Sequence, residues 1–321
     1  MNVRSLLFAA SAIAMLAIAG NAASQAYPSR PVRVVLPFAP GGSTDALARI
    51  LAPRLGEVLG QPVIIDNRPG AGGNLAADIV AKSTPDGYTL LMASAMLTTN
   101  KSLYTKLSYD PEKDFAPVYF YVKSPFVLVA HPALPAKNVP ELIALARSKP
   151  LHYASSGIGG ASHLAGELLK MRTGIDMPHV PYKGGGPAAL AVLAGETPIL
   201  FGTIASSIGH IKAGRLKALA VSGLDRSSFL PEVPTVDESA VKGFNVTTWD
   251  SLVVPAATPK AIITRLNTDT VKVLRTPEVH DAIRNIGYEP TGTTPEEFAQ
   301  FLRAETALLS KVIKDANIRA E

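Results

Sequence analysis

Apolar positions along the chain follow two spacings. Runs such as Val32–Pro37 and Thr89–Ala93 are nearly continuous, as in strands buried on both faces. Leu47, Ile50, Leu51, Leu55 and Leu59 instead recur every three or four residues, the spacing of one helical face. Extended along the chain, the pattern predicts helix 44–59, strand 63–66, helix 75–82, strand 89–93, strand 126–130, helix 139–148 and strand 151–154. Helix 162–173, strand 179–182, helix 187–194, strand 198–201, helix 206–213 and strand 216–221 follow. Strand–helix alternation of this kind predicts right-handed βαβ units, and hence an α/β fold with parallel sheets covered by helices on both faces. The end of the chain differs, because 261–275, 278–286 and 295–316 read as helices with no strong strand between them. Thr294-Pro295-Glu296-Glu297 gives the last one a capping residue, a first-position proline and first-turn acids. These helices are expected to pack back on one of the domains. Punctuation at Ser124-Pro125 and Gly243–Pro255 is expected to mark chain crossings between two lobes. One lobe would comprise 27–125 with 250–321, the other 126–249.

The N-terminal stretch changes the setting. Arg4 precedes an apolar run from Leu6 to Gly20, and Ser24 and Ala26 form a small-residue cleavage pattern before Tyr27. This order predicts an export signal over residues 1–26, cleaved near Ala26. Its apolar part is shorter than the roughly 20 residues of a membrane span. The chain has 321 residues and no cysteine, enough for two domains and excluding disulfide staples, thiolate catalysis, Cys-ligated zinc and iron–sulfur clusters. Export without cysteine points to a bacterial periplasm. ATP and NAD are not available there, so no cofactor is expected. The net charge of +5 is scattered without a basic block, which argues against a nucleic-acid partner.

Candidate chemistry sits in two loops, Pro37–Asp45 and Ala154–His163, each placing small residues between a strand and a helix. Ligands bind at such carboxyl ends of strands, where free N–H groups opening the next helix attract anions. Each loop alone could be only a tight turn; two in one exported chain favour a shared anion site. Helix dipoles contribute about 0.3–1 kcal/mol each, far below the ~8.2 kcal/mol of a micromolar ligand. Several charge-assisted hydrogen bonds at about 1.5–3 kcal/mol each could supply it. Asn67–Asn74 lacks G-x-G-x-x-G spacing and reads as a structural turn. Ser239-Ala240-Val241-Lys242 lacks the companion motifs of S-x-x-K enzymes. The histidines 131, 152, 163, 179, 210 and 280 show no metal-ligand spacing, so no metal is expected. Ser155 or Ser156 with His163 is the only candidate nucleophile–base set, with no acid placed to orient the imidazole. His163 is expected to cap or pack, Trp249 to fill core or hinge or else touch ligand, and Asp45 to serve as first-turn acid or ligand contact.

Taken together, these segments resemble the Bug family, the extracytoplasmic solute receptors of tripartite tricarboxylate transporters. The resemblance runs through Tyr27–Pro31, Pro37–Asp45, Asp66–Gly73, Pro85–Leu90, Tyr153–Glu167, Val180–Gly184 and Pro231–Thr235. It implies a two-lobed periplasmic binding protein of the Venus-flytrap type, with two doubly wound sheets and a cleft between them. Such a receptor is not an enzyme. It is expected to be monomeric, to close on a small organic carboxylate and to hand it to membrane permease subunits. Carried over by position, the carboxylate would meet Gly41, Gly42, Ser43, Thr44 and Asp45 on one lobe, and Ser156, Gly157, Ile158, Gly159, Ala161 and Ser162 on the other. Phe38 and Tyr182 would wall the cleft, with Ser94 and Thr203 facing the rest of the ligand. The chain departs from the family pattern at Ser94-Ala95-Met96-Leu97, at Phe201-Gly202-Thr203 and at Ala191. Those departures remove acids and add Met96, so the expected ligand is a carboxylate with an apolar or aromatic body, such as terephthalate. The alternatives are an amino-acid or aliphatic di- or tricarboxylate receptor, a sensory partner of a membrane kinase, and, least supported, a periplasmic hydrolase.

Overall fold

A computed structural model describes residues 27–315 and 318–320; the expected export signal lies outside the described residues. The elements are β1 (Val32–Leu36), α1 (Ser43–Leu59), β2 (Val63–Asn67), a 3-10 turn (Ala71–Gly73), α2 (Asn74–Ala81), β3 (Thr89–Ala93) and α3 (Met96–Leu103). They continue with β4 (Phe115–Ala130), α4 (Val139–Ser148), β5 (Tyr153–Ser155), α5 (Ala161–Thr173), β6 (His179–Pro181), α6 (Gly185–Leu193) and β7 (Ile199–Thr203). The last are α7 (Ile204–Lys212), β8 (Lys217–Val221), α8 (Val236–Ser239), β9 (Thr247–Pro255), α9 (Lys260–Leu274), α10 (Pro277–Asn285) and α11 (Pro295–Asp315).

The 16-residue strand β4 joins two sheets. Its Phe115–Pro125 part pairs with β9, giving the order β2-β1-β3-β9-β4. Its Phe126–Ala130 part pairs with β7 on one side and β8 on the other, giving β8-β4-β7-β5-β6. Pairing is parallel, as the alternation predicts, for β1 with β2 and β3 and for β5 with β6 and β7. The parallel sheets are interrupted by β4 and β9, which run antiparallel to their neighbours. These strands carry the chain between the sheets, so no local crossover helix fixes their direction. Most of the Gly243–Pro255 punctuation is β9 itself. Pro117 lies at a register shift of β4, where a strand tolerates the missing N–H.

Alternation of side chains divides the core. Val32, Val34 and Leu36 of β1 point to α1, α9 and α10, whereas Val35 points to α2 and the opposite layer. In β4, Phe126, Leu128 and Ala130 join the layer that contains Trp249, and Val127 and Val129 join the layer under α6 and α7. The tail helices pack back as the sequence predicts, α9 on α1 and β4, and α11 on α3 and β4.

Candidate functional site

Five helices begin at the seam between the two sheets, and their first residues form the cleft wall. Gly42, Ser43 and Thr44 open α1; Ala95 and Met96 open α3; Gly160, Ala161 and Ser162 open α5; Gly185 opens α6; Thr203 precedes α7. At α1, α3, α5 and α6 no side chain caps the helix start, and at α3 the Leu97 and Thr98 N–H groups donate to the Ser94 and Ala95 carbonyls. Only Thr203 caps its own helix, accepting from the Ser206 N–H at 3.2 Å. Uncapped N–H groups in a protected cleft keep their demand for an acceptor, which a carboxylate satisfies. Phe38, Met96, Phe126, Leu200 and Phe201 supply an apolar stretch of wall, and Ser94, Ser156 and Thr248 add polar side chains. Among the described residues that line the cleft, none carries a charged side chain.

The two halves touch across this cleft. The Ala39 N–H donates to the Lys183 carbonyl at 2.8 Å. A Cβ on Gly186 would lie 2.8 Å from the Gly41 carbonyl carbon and oxygen, so this approach of the α1 loop to α6 needs glycine. Gly72 meets the Ile158 carbonyl in the same way. The space enclosed is about 40 Å³, room for a few waters at about 10–15 Å³ each.

Of the residues expected at the site, Phe38, Gly42, Ser43, Thr44, Ser94, Ser156, Gly157, Ile158, Ala161, Ser162 and Thr203 are together on this wall. Gly41, Asp45 and Gly159 lie behind it. Asp45 accepts from the Gly41 N–H at 3.1 Å, from Arg49 at 2.9 and 3.0 Å and from Asn67 at 3.1 Å. Burial opposes its ionisation, but these donors outweigh burial and hold the carboxyl below its usual range. Asp45 thus shapes the first loop through its backbone. Asp45→Ala is expected to lower stability by about 1–3 kcal/mol, the effect of removing hydrogen bonds to a charged group. Urea unfolding with a loss under about 0.5 kcal/mol would contradict that role. Gly159 donates to His163 Nδ1 at 3.1 Å and approaches Leu103. Tyr182 lines an adjoining crevice with Phe38, Gly72 and Ile158, its hydroxyl 3.5 Å from Glu196.

Gly72, Phe126, Gly185, Leu200 and Thr248 also line the wall, without having been expected there. Gly72 belongs to the Asn67–Asn74 segment, which was expected only to turn the chain. The run Gly184-Gly185-Gly186 after β6 carries the same signal as the two loops, small residues between a strand and a helix. Trp249 is fully buried among Phe120, Phe298 and Phe301 and is not on the wall.

The nucleophile–base set is not assembled. Ser155 is fully buried and meets His179 Nε2 at 2.6 Å, not His163. His163 stacks on His179 with ring centroids 4.0 Å apart. Burial pushes His163 down to about 4, opposed by Glu167, and His179 down to about 3, helped by His163. Both rings are neutral in the folded protein at pH 7. The unfolded chain binds their protons first as pH falls through about 6.5, so these groups cost stability progressively below that pH. The slope approaches about 1.4 kcal/mol per pH unit for each ring. Melting curves from pH 7 to 5 should therefore fall more steeply for the wild type than for His179→Gln; equal slopes would contradict the assignment.

Known proteins match this arrangement over nearly the whole chain. The TctC family model, described as the tripartite tricarboxylate transporter family receptor, matches residues 47–318. Protein BugT of Bordetella pertussis is 36% identical over 311 residues, covering 96% of this chain and 95% of BugT. The structure of R. palustris Rpa4515 with adipate superposes with a TM-score of 0.88 at 38% identity, covering 91% of this chain and 99% of the other. MatC (Rpa3494) from Rhodopseudomonas palustris with bound malate gives 0.85 at 32% identity, covering 89% and 100%. One of these structures holds adipate and the other bound malate. With its two sheets joined by β4 and β9 and its uncapped helix starts at the seam, the chain belongs to the tripartite tricarboxylate transporter receptor family.

Proposed function

We propose that this chain is a periplasmic receptor that closes on a small organic carboxylate with an apolar or aromatic body and delivers it to membrane permease subunits. One observation carries the reading: four uncapped helix starts meet at a cleft whose described lining has no charged side chain. Backbone N–H groups and the hydroxyls of Ser43, Thr44, Ser156 and Ser162 would bind the anion without a lysine or arginine. A family relative with adipate and another with malate support an acid ligand. Met96, Phe126, Leu200 and Phe201 favour an apolar body, as in adipate or terephthalate, over a charged amino group. Residues 27–125 with 250–321, and 126–249, would be the two lobes. They would move about β4 and β9 where these strands pass between the sheets. Export through cleavage near Ala26 and a monomeric receptor complete the proposal.

A thermal-shift panel of adipate, terephthalate, malate, aspartate and glutamate tests it. Stabilisation by adipate or terephthalate is expected. Stabilisation by aspartate or glutamate, with none by the other acids, would overturn the ligand class.

A further inference from the structure

Behind the cleft wall lies a buried carboxylate that the receptor reading leaves without a role. Asp250 is 1% exposed on β9, two residues beyond Thr248 of the wall. Its Oδ1 accepts from the Thr44 hydroxyl at 2.7 Å and its Oδ2 from the Tyr288 hydroxyl at 3.1 Å. The Ser43 side chain in turn hydrogen-bonds Tyr288. Ser43 and Thr44 are the wall hydroxyls that open α1.

A hydroxyl has one proton to donate. While Asp250 is ionised, the Thr44 proton points at it, and Tyr288 draws on Ser43. The lone pairs of Thr44 are then left for the cleft. That polarity suits a donor and repels a carboxylate. We propose that Asp250 is a positioning residue for the carboxylate site: ligand binding is coupled to uptake of one proton by Asp250, which turns the Thr44 hydroxyl toward the ligand. The proton comes from solvent through the cleft and Thr44. Asp250 Oδ1–H then donates to Thr44 Oγ1, and Thr44 Oγ1–H donates to the ligand oxygen. The Tyr288 bond to Oδ2 stays in place. The inference rests on the carboxylate reading given above.

The surroundings allow the change. Burial lifts Asp250 to about 6, opposed by the bonds from Thr44 and Tyr288. Across the ladder on β4 stands Val122, and β3 carries no titratable residue. Tyr121 of β4 is fully buried, which raises it above the phenol range, so it stays neutral. On α1, Asp45 and Arg49 are paired with each other, and on α10 Arg284 is paired with Glu289. Tyr288 itself is raised by burial and by Asp250 and stays neutral. A ligand carboxylate adds a second negative charge and moves Asp250 further up. Between the free and bound values a proton is taken up on binding. Affinity is therefore flat below about pH 6 and falls by up to about tenfold per pH unit above it.

Calorimetry of the full chain with adipate, from pH 6 to 8.5 in two buffers of different ionisation heat, tests this. Adipate is fully ionised over most of this range. The wild type should take up close to one proton at pH 7.5, and Asp250→Asn should show no uptake and a flat profile. Tyr288→Phe, which removes a donor to the ionised form, should shift the falling limb to higher pH. Adipate binding with no proton uptake, or Asp250→Asn with the wild-type slope, would overturn the inference and leave the receptor reading intact. Failure of adipate, terephthalate and malate to bind at any pH would overturn that reading and the inference together. Infrared difference spectra of the wild type need no variant: a protonated-carboxyl band should grow on adding adipate at pH 7.5, and its absence would overturn the proposal.

Discussion

Replacing Gly186 with valine is expected to weaken adipate binding by about 10–100-fold. The added Cβ would stand 2.8 Å from the Gly41 carbonyl carbon and oxygen and 3.0 Å from the Gly42 nitrogen. All three are backbone atoms of the loop that opens α1, so no side chain can swing aside. Overpacking of this kind costs about 1–3 kcal/mol, and each 1.4 kcal/mol is about tenfold in an equilibrium constant. The clash exists only while the halves are together, so it falls on closure and not on the folding of either sheet. The melting temperature without ligand should stay close to that of the wild type. Gly209→Ala, on the exposed side of α7 with nothing within 4 Å of the new Cβ, should bind like the wild type. Calorimetry giving Gly186→Val wild-type affinity would remove the contact from the account.

Trp249→Ala should produce the largest loss of stability, about 3–5 kcal/mol. The indole is fully buried, with ring centroids 6.2, 6.3 and 5.6 Å from Phe120, Phe298 and Phe301. It ties β9 and β4 to α11, so truncation opens a cavity between the long strand pair and the tail helix. The indole N–H has no hydrogen-bond partner in this pocket. Trp249→Phe should therefore be mild, because a lost unpaired donor offsets part of the lost volume. Because the ring is off the cleft wall, Trp249→Phe should also leave adipate affinity unchanged. A loss under about 1 kcal/mol for the alanine variant in urea unfolding would contradict the packing role.

The parts of the fold that the sequence reveals are those built by local rules. Helix α4 and strand β3 fall where the pattern puts them, because a continuous apolar run or a single-sided helical stripe needs no distant partner. Of the crossing strands, the pattern shows only the 126–130 end of β4. In β4 the prolines at 117 and 125 and Lys123 interrupt the apolar run, and only pairing with β9 makes it one strand. In β9, Thr248, Asp250 and Ser251 are polar yet buried, so neither a continuous apolar run nor a clean alternation is visible. Helix α3 buries Thr98, Thr99 and Asn100, whose hydroxyls and amide are bonded within the structure, and its apolar stripe is correspondingly weak. At the site, the two glycine-rich loops were legible because small residues before a helix leave its N–H groups free. Phe126 and Thr248 were not, since they reach the wall only through the pairing of β4 with β7 and with β9. Asp45 was legible as an acid at a helix start. Its partners Arg49, one turn on, and Asn67, on a separate strand, together hold its carboxylate away from the cleft.

The central claim is that backbone amides and hydroxyls at helix starts, without a charged side chain, hold the ligand's carboxylate. A crystal structure of the full chain with adipate tests it most directly. Carboxylate oxygens are expected within about 3 Å of the N–H and hydroxyl groups of Ser43–Thr44 on one half and Ala161–Ser162 on the other. A carboxylate held by lysine or arginine side chains outside the cleft would contradict it.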